Sequence, residues 1–277
     1  MIPRTTDDVL ARIRINPMGE APEAMRAAFA ARIGIEPGGE RATLGGIEAL
    51  RLGEGPALLW FHGGGYVFGA PETHVCMGGA LVVHGLCMWL PRYRLAPEHP
   101  WPAMLEDALA ALDALDGPVI LGGDSAGGHL ALNAALARPG RAAGLILLSP
   151  NTDRTGLSET RGSDRDAMND DASDRRLGEM AMGALADDDP AKSPLLGDLS
   201  ALPPLFLSAA TDEVLLDDAL LLARRAAIAG VPVEMHVARG LFHMFQLWPQ
   251  AIPEARQALD RAGTFARAAI AARSNAG

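Results

Sequence analysis

Val119-Ile-Leu-Gly-Gly-Asp-Ser-Ala-Gly-Gly-His129 is the stretch from which the fold of this chain is read. Val119–Leu121 is a short apolar run, as expected of a strand buried on both faces. Ala126–Ala137 is rich in Ala and Leu and reads as a helix. Between them lies a G-x-S-x-G sequence, Gly123-Asp124-Ser125-Ala126-Gly127. A strand that turns into a helix this sharply tolerates only small neighbours around the serine, which Gly123, Ala126 and Gly127 supply. Such a turn lifts the Ser125 hydroxyl above the sheet and aims the helix N-terminus at it.

Outward from this turn the same alternation continues. Apolar or alternating runs recur at Ile47–Leu52, Ala57–Phe61, Leu86–Leu90, Leu145–Leu148, Leu205–Ser208 and Val231–Val237. Helical stretches separate them at Pro102–Leu115, Asp217–Ala229 and Pro253–Ala272. Strands alternating with helices predict an α/β fold on a mostly parallel sheet. Residues 1–40 read as helices broken by Pro17, Pro22 and Pro37. Asn151 to about Pro194 interrupts the rhythm with a long run rich in Asp, Arg, Ser and Met. A loop of that length in a compact domain is expected to be a lid, a cap or a functional insertion. The expected organisation is therefore an N-terminal helical segment, 1–40, and a core, 41–277, that carries an insertion at 151–194.

Composition narrows the function. The chain has 277 residues, 49% of them hydrophobic, enough for a sizeable core. Its formal net charge of −10 argues against nucleic acid or an anionic membrane surface as partner. The first residues lack the apolar core of a signal peptide, and no run of 18 apolar residues occurs. A cytoplasmic protein without integral membrane association is expected, and a homodimer is compatible with this reading. Cys76 and Cys87 form neither a disulfide framework nor a metal motif, and both read as buried small hydrophobes. No metal or cofactor is expected.

A second glycine-rich segment, Trp60-Phe-His-Gly-Gly-Gly-Tyr-Val-Phe-Gly69, follows a strand. No lysine follows it as in a phosphate loop. Its glycines allow backbone N–H groups to approach a developing oxyanion. Gly63, Gly64 and Gly65 are the candidates, Gly64 and Gly65 foremost, with Ala126 as a further donor. His62 is read as tying the loop down.

A serine nucleophile needs a base, ordinarily a histidine oriented by a carboxylate. Of the seven histidines, His236 and His243 alone follow the candidate acids, and Ser, acid, His is the chain order that accompanies a G-x-S-x-G turn of this kind where it is known. Val231, Val233, Met235 and Val237 share one strand face, so His236 points the other way, to solvent or packing. His243 stands in a loop after that strand and is the candidate base. The acid lies in Thr211-Asp-Glu-Val-Leu-Leu-Asp-Asp218. Asp217 and Asp218 fall where a helix starts and read as caps, which leaves Asp212 and Glu213.

HGGG at 62–65, YRLAPEHPWPA at 93–103, GDSAGG at 123–128 and the late histidine together resemble the hormone-sensitive-lipase-like family of bacterial esterases. The resemblance runs from about Pro56 to Gln246. It implies an α/β-hydrolase core with a helical cap, made by the N-terminus and the insertion. It also implies cofactor-free hydrolysis of small-molecule esters with short to medium acyl chains, through an acyl-enzyme. The family's acid stands two residues before a leucine, with another acid two residues beyond it. Glu213-Val-Leu215-Leu-Asp217 fits that register, so the resemblance selects Glu213, with Asp212 as the alternative. Glu98 and Asp107 are expected to be structural, Glu98 bracing the glycine loop through buried hydrogen bonds. Asn151 stands where the family often has tryptophan and Met244 where it often has glycine, both at the border of the expected acyl pocket. The same catalytic set would serve amides, lactones or carbamates. A small-molecule receptor on the same scaffold would be expected to have lost one of the three residues, and none is lost here.

Overall fold

The computed structural model describes residues 3–35 and 37–275. Among them eight strands form one sheet: β1 (Glu40–Leu44), β2 (Ile47–Leu52), β3 (Ala57–Phe61), β4 (Cys87–Pro91), β5 (Val119–Asp124), β6 (Ala142–Leu148), β7 (Leu205–Ala210) and β8 (Val233–Ala238). Their spatial order is β1-β2-β4-β3-β5-β6-β7-β8. The β1–β2 and β2–β4 pairs are antiparallel, and every pair from β4 to β8 is parallel. The fold is that of an α/β hydrolase, as the sequence predicts.

The central strands are those with continuous apolar runs. Every residue of β5, β6 and β7 is buried, because helices cover both faces of a parallel sheet. Helices α4 (Ala103–Asp113), α5 (Ala126–Ala137), α7 (Leu216–Ile228) and α8 (Pro253–Asn275) lie close to their predicted positions. In the N-terminal segment, α1 (Thr6–Ile15) opens with a capping box in which Thr5 and Asp8 satisfy each other's backbone N–H. Pro22 takes the first position of α2 (Pro22–Ile33), where its missing N–H is harmless. No helix among the described residues is long and apolar enough to cross a membrane.

Two elements escape the sequence reading. Strand β1 is mostly polar and exposed at the sheet edge, burying only Leu44, so no apolar pattern announces it. Helix α3 (Val75–Val82) contains Gly78 and Gly79, which argue locally against a helix. A side chain at Gly78 would meet the Met88 sulfur at 2.9 Å, so that glycine allows the helix to lie close on β4.

On the edge strand β8 His236 lies opposite Val237 and packs, one of the two outcomes expected of it. His236 is buried, with Nδ1 3.2 Å from Ser208 Oγ on the neighbouring strand, whereas Val237 is 40% exposed. The polar partner on β7 draws the histidine in. Cys76 is corrected: it is half-buried, and its thiol donates to Gln250 Oε1 at 3.0 Å, while Cys87 is buried as expected.

The insertion contains a 3-10 turn (Glu159–Gly162) and the helix α6 (Asp171–Met182). A buried ionic network fastens it to the core. Arg161 donates to Asp174 of α6 at 2.6 Å and to Asp218 of α7 at 2.7 Å. Arg154 also pairs with Asp174. Asp218, read from sequence as a cap, is fully buried and accepts the backbone N–H groups of Thr152 and Asp153 at 2.8 and 3.0 Å. Asp217 likewise accepts the N–H of Glu159 at 2.8 Å rather than capping its own helix. The acids at the start of α7 thus bind the insertion.

Candidate active site

Backbone geometry alone marks Ser125. It sits between β5 and α5 with φ 53° and ψ −120°, a conformation that residues with side chains rarely adopt. The turn closes because its neighbours lack side chains. A Cβ on Gly127 would lie 1.9 Å from the Phe61 carbonyl oxygen, and one on Gly123 2.2 Å from the Gly127 carbonyl oxygen. The hydroxyl that this turn presents lies 2.9 Å from His243 Nε2. Both residues are buried, and they border one cavity of about 360 Å³. Burial pushes the His243 imidazole below its ordinary 6.5, against the opposing pull of Asp166, Asp174 and Asp124. A neutral imidazole beside a hydroxyl is the state in which it can take a proton.

Glu213 follows β7 and is buried, its Oε2 accepting from Ser149 Oγ at 2.7 Å. Burial holds its carboxyl well above the ordinary range. No hydrogen bond joins it to His243. Glu213 Oε1 and His243 Nδ1 are both buried without a partner. Two bridges nevertheless bring the acid turn and the histidine loop together. Ser149 Oγ, bound to Glu213, also lies 3.4 Å from the N–H of Met244. Asp166 accepts from the N–H of Val214 with one oxygen and of His243 with the other, at 3.0 and 3.1 Å. Asp212 points elsewhere: it is partly exposed, with its carboxylate 3.5 Å from Arg165 and bound by Thr211.

Gly64 and Gly65 border the cavity beside Ser125, and their N–H groups have no protein acceptor among the described residues. Their φ values, 121° and 58°, favour glycine. A Cβ on Gly65 would strike Leu177 of the insertion at 2.5 Å. Gly63 is a correction. Its N–H is already given to Asp124 Oδ2 at 3.1 Å, so it is not an oxyanion donor. Ala126 opens α5, where a backbone N–H has no partner within the helix.

Asp124, the variable residue of G-x-S-x-G, thus organises the loop. It is buried and also accepts from Trp60 Nε1 at 3.0 Å and His74 Nε2 at 2.9 Å. Burial would raise its pKa, but His74 and these donors outweigh it and hold the carboxyl below the usual range. His62 ties the loop down as expected. It stacks on Tyr93 at 4.3 Å, and Tyr93 O–H donates to its carbonyl at 2.6 Å. Burial lowers the His62 pKa to about 3, so the ring is neutral. His129 is also pushed to about 3 by burial. Its Nε2–H donates to the Lys192 carbonyl at 3.2 Å, leaving Nδ1 to accept Tyr66 O–H at 2.5 Å.

Glu98 is corrected as well. It is exposed and pairs with Arg26 of α2 at 2.6 Å; Arg26 in turn donates to the Val67 carbonyl at 2.9 Å. Its support of the glycine loop is indirect. Asp107 is buried and structural, gripping the Arg94 backbone N–H and guanidinium. Among the described residues, no three His, Cys, Asp or Glu side chains gather as a metal ion would require.

Residues 58–247 match the model of a family with the α/β-hydrolase fold. An esterase structure of the bacterial hormone-sensitive lipase family superposes with a TM-score of 0.90 at 31% identity, covering 95% of this chain and 97% of the other. The chain belongs to the hormone-sensitive-lipase-like esterases of the α/β-hydrolase fold. This esterase chain is 35% identical to an acetyl-hydrolase of Streptomyces hygroscopicus over 92% of its own length and 90% of the relative's. It is 32% identical to carboxylesterase NlhH of Mycobacterium tuberculosis, covering 74% and 71% of the two chains. It is a carboxylic ester hydrolase.

Sequence reading missed Asp124, His74, Ser149 and Asp166. Asp124 stood inside the quoted motif, but as its variable position. The other three carry no local signal, since their partners lie far away in sequence.

Proposed function

We propose that this esterase hydrolyses short- to medium-chain acyl esters through an acyl-enzyme on Ser125, with His243 as base and Glu213 as acid. The observation that carries the proposal is the 2.9 Å approach of Ser125 Oγ to His243 Nε2 beside two unengaged glycine N–H groups.

Ser125 attacks the ester carbonyl as His243 Nε2 takes its proton. Gly64, Gly65 and Ala126 N–H groups receive the oxyanion, where each donor is worth roughly 100- to 1000-fold in rate. His243 then gives the proton to the departing alcohol, and water repeats the sequence on the acyl-enzyme. The imidazolium that forms at each step needs an acceptor at Nδ1; Glu213 Oε1 is the unpartnered buried carboxyl oxygen on the neighbouring turn, and the positive charge arising on His243 opposes the burial that favours its neutral form. The engagement of Asp212 with Arg165 supports this choice. No cofactor is required.

Residues 1–40 and 151–194 act as the cap. Met25 and Phe29 of α2, with Met168 and Leu177 of the insertion, wall the cavity above Ser125. Its volume of about 360 Å³ suits a short or medium acyl chain rather than a long one. The acetyl group named for the Streptomyces relative agrees with that size.

A series of para-nitrophenyl esters from acetate to palmitate tests the proposal. Turnover is expected to peak at short or medium chains and to fall steeply for palmitate. Equal turnover across the series would refute the size argument, and full activity in Ser125→Ala would refute the nucleophile.

A further inference from the structure

We infer that Asp166, on the insertion, is a positioning residue that holds the base and the acid in register from the cap side. This inference rests on the catalytic reading just given. One carboxylate oxygen accepts the backbone N–H of His243 itself at 3.1 Å, the other that of Val214, the residue after Glu213, at 3.0 Å. Its own turn is closed by Met168 N–H, which donates to Oδ1 at 2.9 Å. Three backbone N–H groups from three segments therefore converge on one carboxylate.

Ser149 makes the matching brace from the core side, between Glu213 and the N–H of Met244. The pair is thus clamped from two directions. The core-side clamp belongs to a strand end and is fixed with the sheet. The cap-side clamp belongs to a segment fastened by ion pairs, and it also borders the cavity.

Asp166 also contributes charge. The charged groups that act on His243 are the carboxylates of Asp166, Asp174 of α6 and Asp124 of β5, and the Arg161 guanidinium; Glu213, on the neighbouring turn, leaves Oε1 unpartnered. Asp174 and Asp124 are already committed to Arg154, Arg161 and His74. Asp166 binds only uncharged N–H groups where it meets the loop, so its charge is left to favour the imidazolium.

The test compares Asp166→Asn, Asp166→Glu and wild type on para-nitrophenyl butyrate across about pH 5 to 9. A displacement of the base by about 1 Å costs on the order of 100-fold in rate. The Asn variant is expected to lose about that much kcat with little change in KM. Its acid limb of kcat/KM should also move to lower pH, because removing a negative charge makes His243 easier to deprotonate. The Glu variant should keep the limb where it is in wild type and recover part of kcat. A merely structural tie would lower the melting temperature without moving the limb. Should the Asn variant not fold, Asp166→Ser, which keeps an acceptor but no charge, is expected to show the same two changes. A folded uncharged variant with wild-type kcat, or one whose acid limb stays in place, would overturn the inference. Wild-type turnover that vanishes in Ser125→Ala tests the catalytic reading separately.

Discussion

Beneath Ser125 the chain is held by apolar side chains and close backbone contact; above it, the insertion is held by charge. The floor consists of β3, β5 and β6, all but fully buried, and of glycines that leave no room for a methyl group. The roof is pinned by Arg161 between Asp174 and Asp218, with Arg154 beside it. Dense packing fixes the Ser125 hydroxyl in one place. Buried ion pairs, whose desolvation offsets much of their attraction, specify geometry more than they stabilise. The proposed cap, which would admit an ester and release an acid, is suited to the second kind of construction.

The difference can be probed one residue at a time. Ser125→Ala removes the hydroxyl and leaves the floor intact, so turnover should fall by about 10⁴-fold or more while urea unfolding barely changes. Arg161→Met strips the roof of its central cation and leaves two buried carboxylates facing each other. A loss of about 3–5 kcal/mol in unfolding free energy is expected. A loss below about 1 kcal/mol would mean that the network is effectively solvated. Gly127→Ala attacks the floor by addition instead, and the clash with the Phe61 carbonyl should destabilise by about 3 kcal/mol.

The site between floor and roof has its own signature. Burial depresses the His243 pKa, so the group must lose its proton at a pH below the ordinary 6.5, and the acid limb of kcat/KM should lie there. A limb above that value would mean that the carboxylates around the ring outweigh burial. The smallest effect belongs to the outer surface. The Arg26–Glu98 pair is exposed, and Glu98→Gln should change stability by no more than about 1 kcal/mol.

The same division decides how much of the molecule is legible in its sequence. The central strands and the Ser125 turn could be read because continuous apolar runs and small residues at fixed offsets are local signals. Strand β1 could not, because an exposed edge needs no apolar face. Gly63 looked like an oxyanion donor because three glycines in a row are equivalent until Asp124 claims one of them. Asp218 looked like a helix cap because its true partners, the Thr152 and Asp153 amides, lie more than sixty residues upstream. Asp166 sits in an aspartate-rich run where nothing distinguishes one acid from the next. The approach of Ser125 to His243 could be expected from motif and chain order, whereas the hydrogen bonds of Ser149 and Asp166 beside them are products of the folded chain.

Intact-mass analysis of the protein treated with a fluorophosphonate, followed by peptide mapping, tests the central claim most directly. A single adduct on Ser125 is expected, absent in Ser125→Ala and formed far more slowly in His243→Ala. An unlabelled wild-type protein, or an adduct that forms at an unchanged rate in Ser125→Ala, would contradict it.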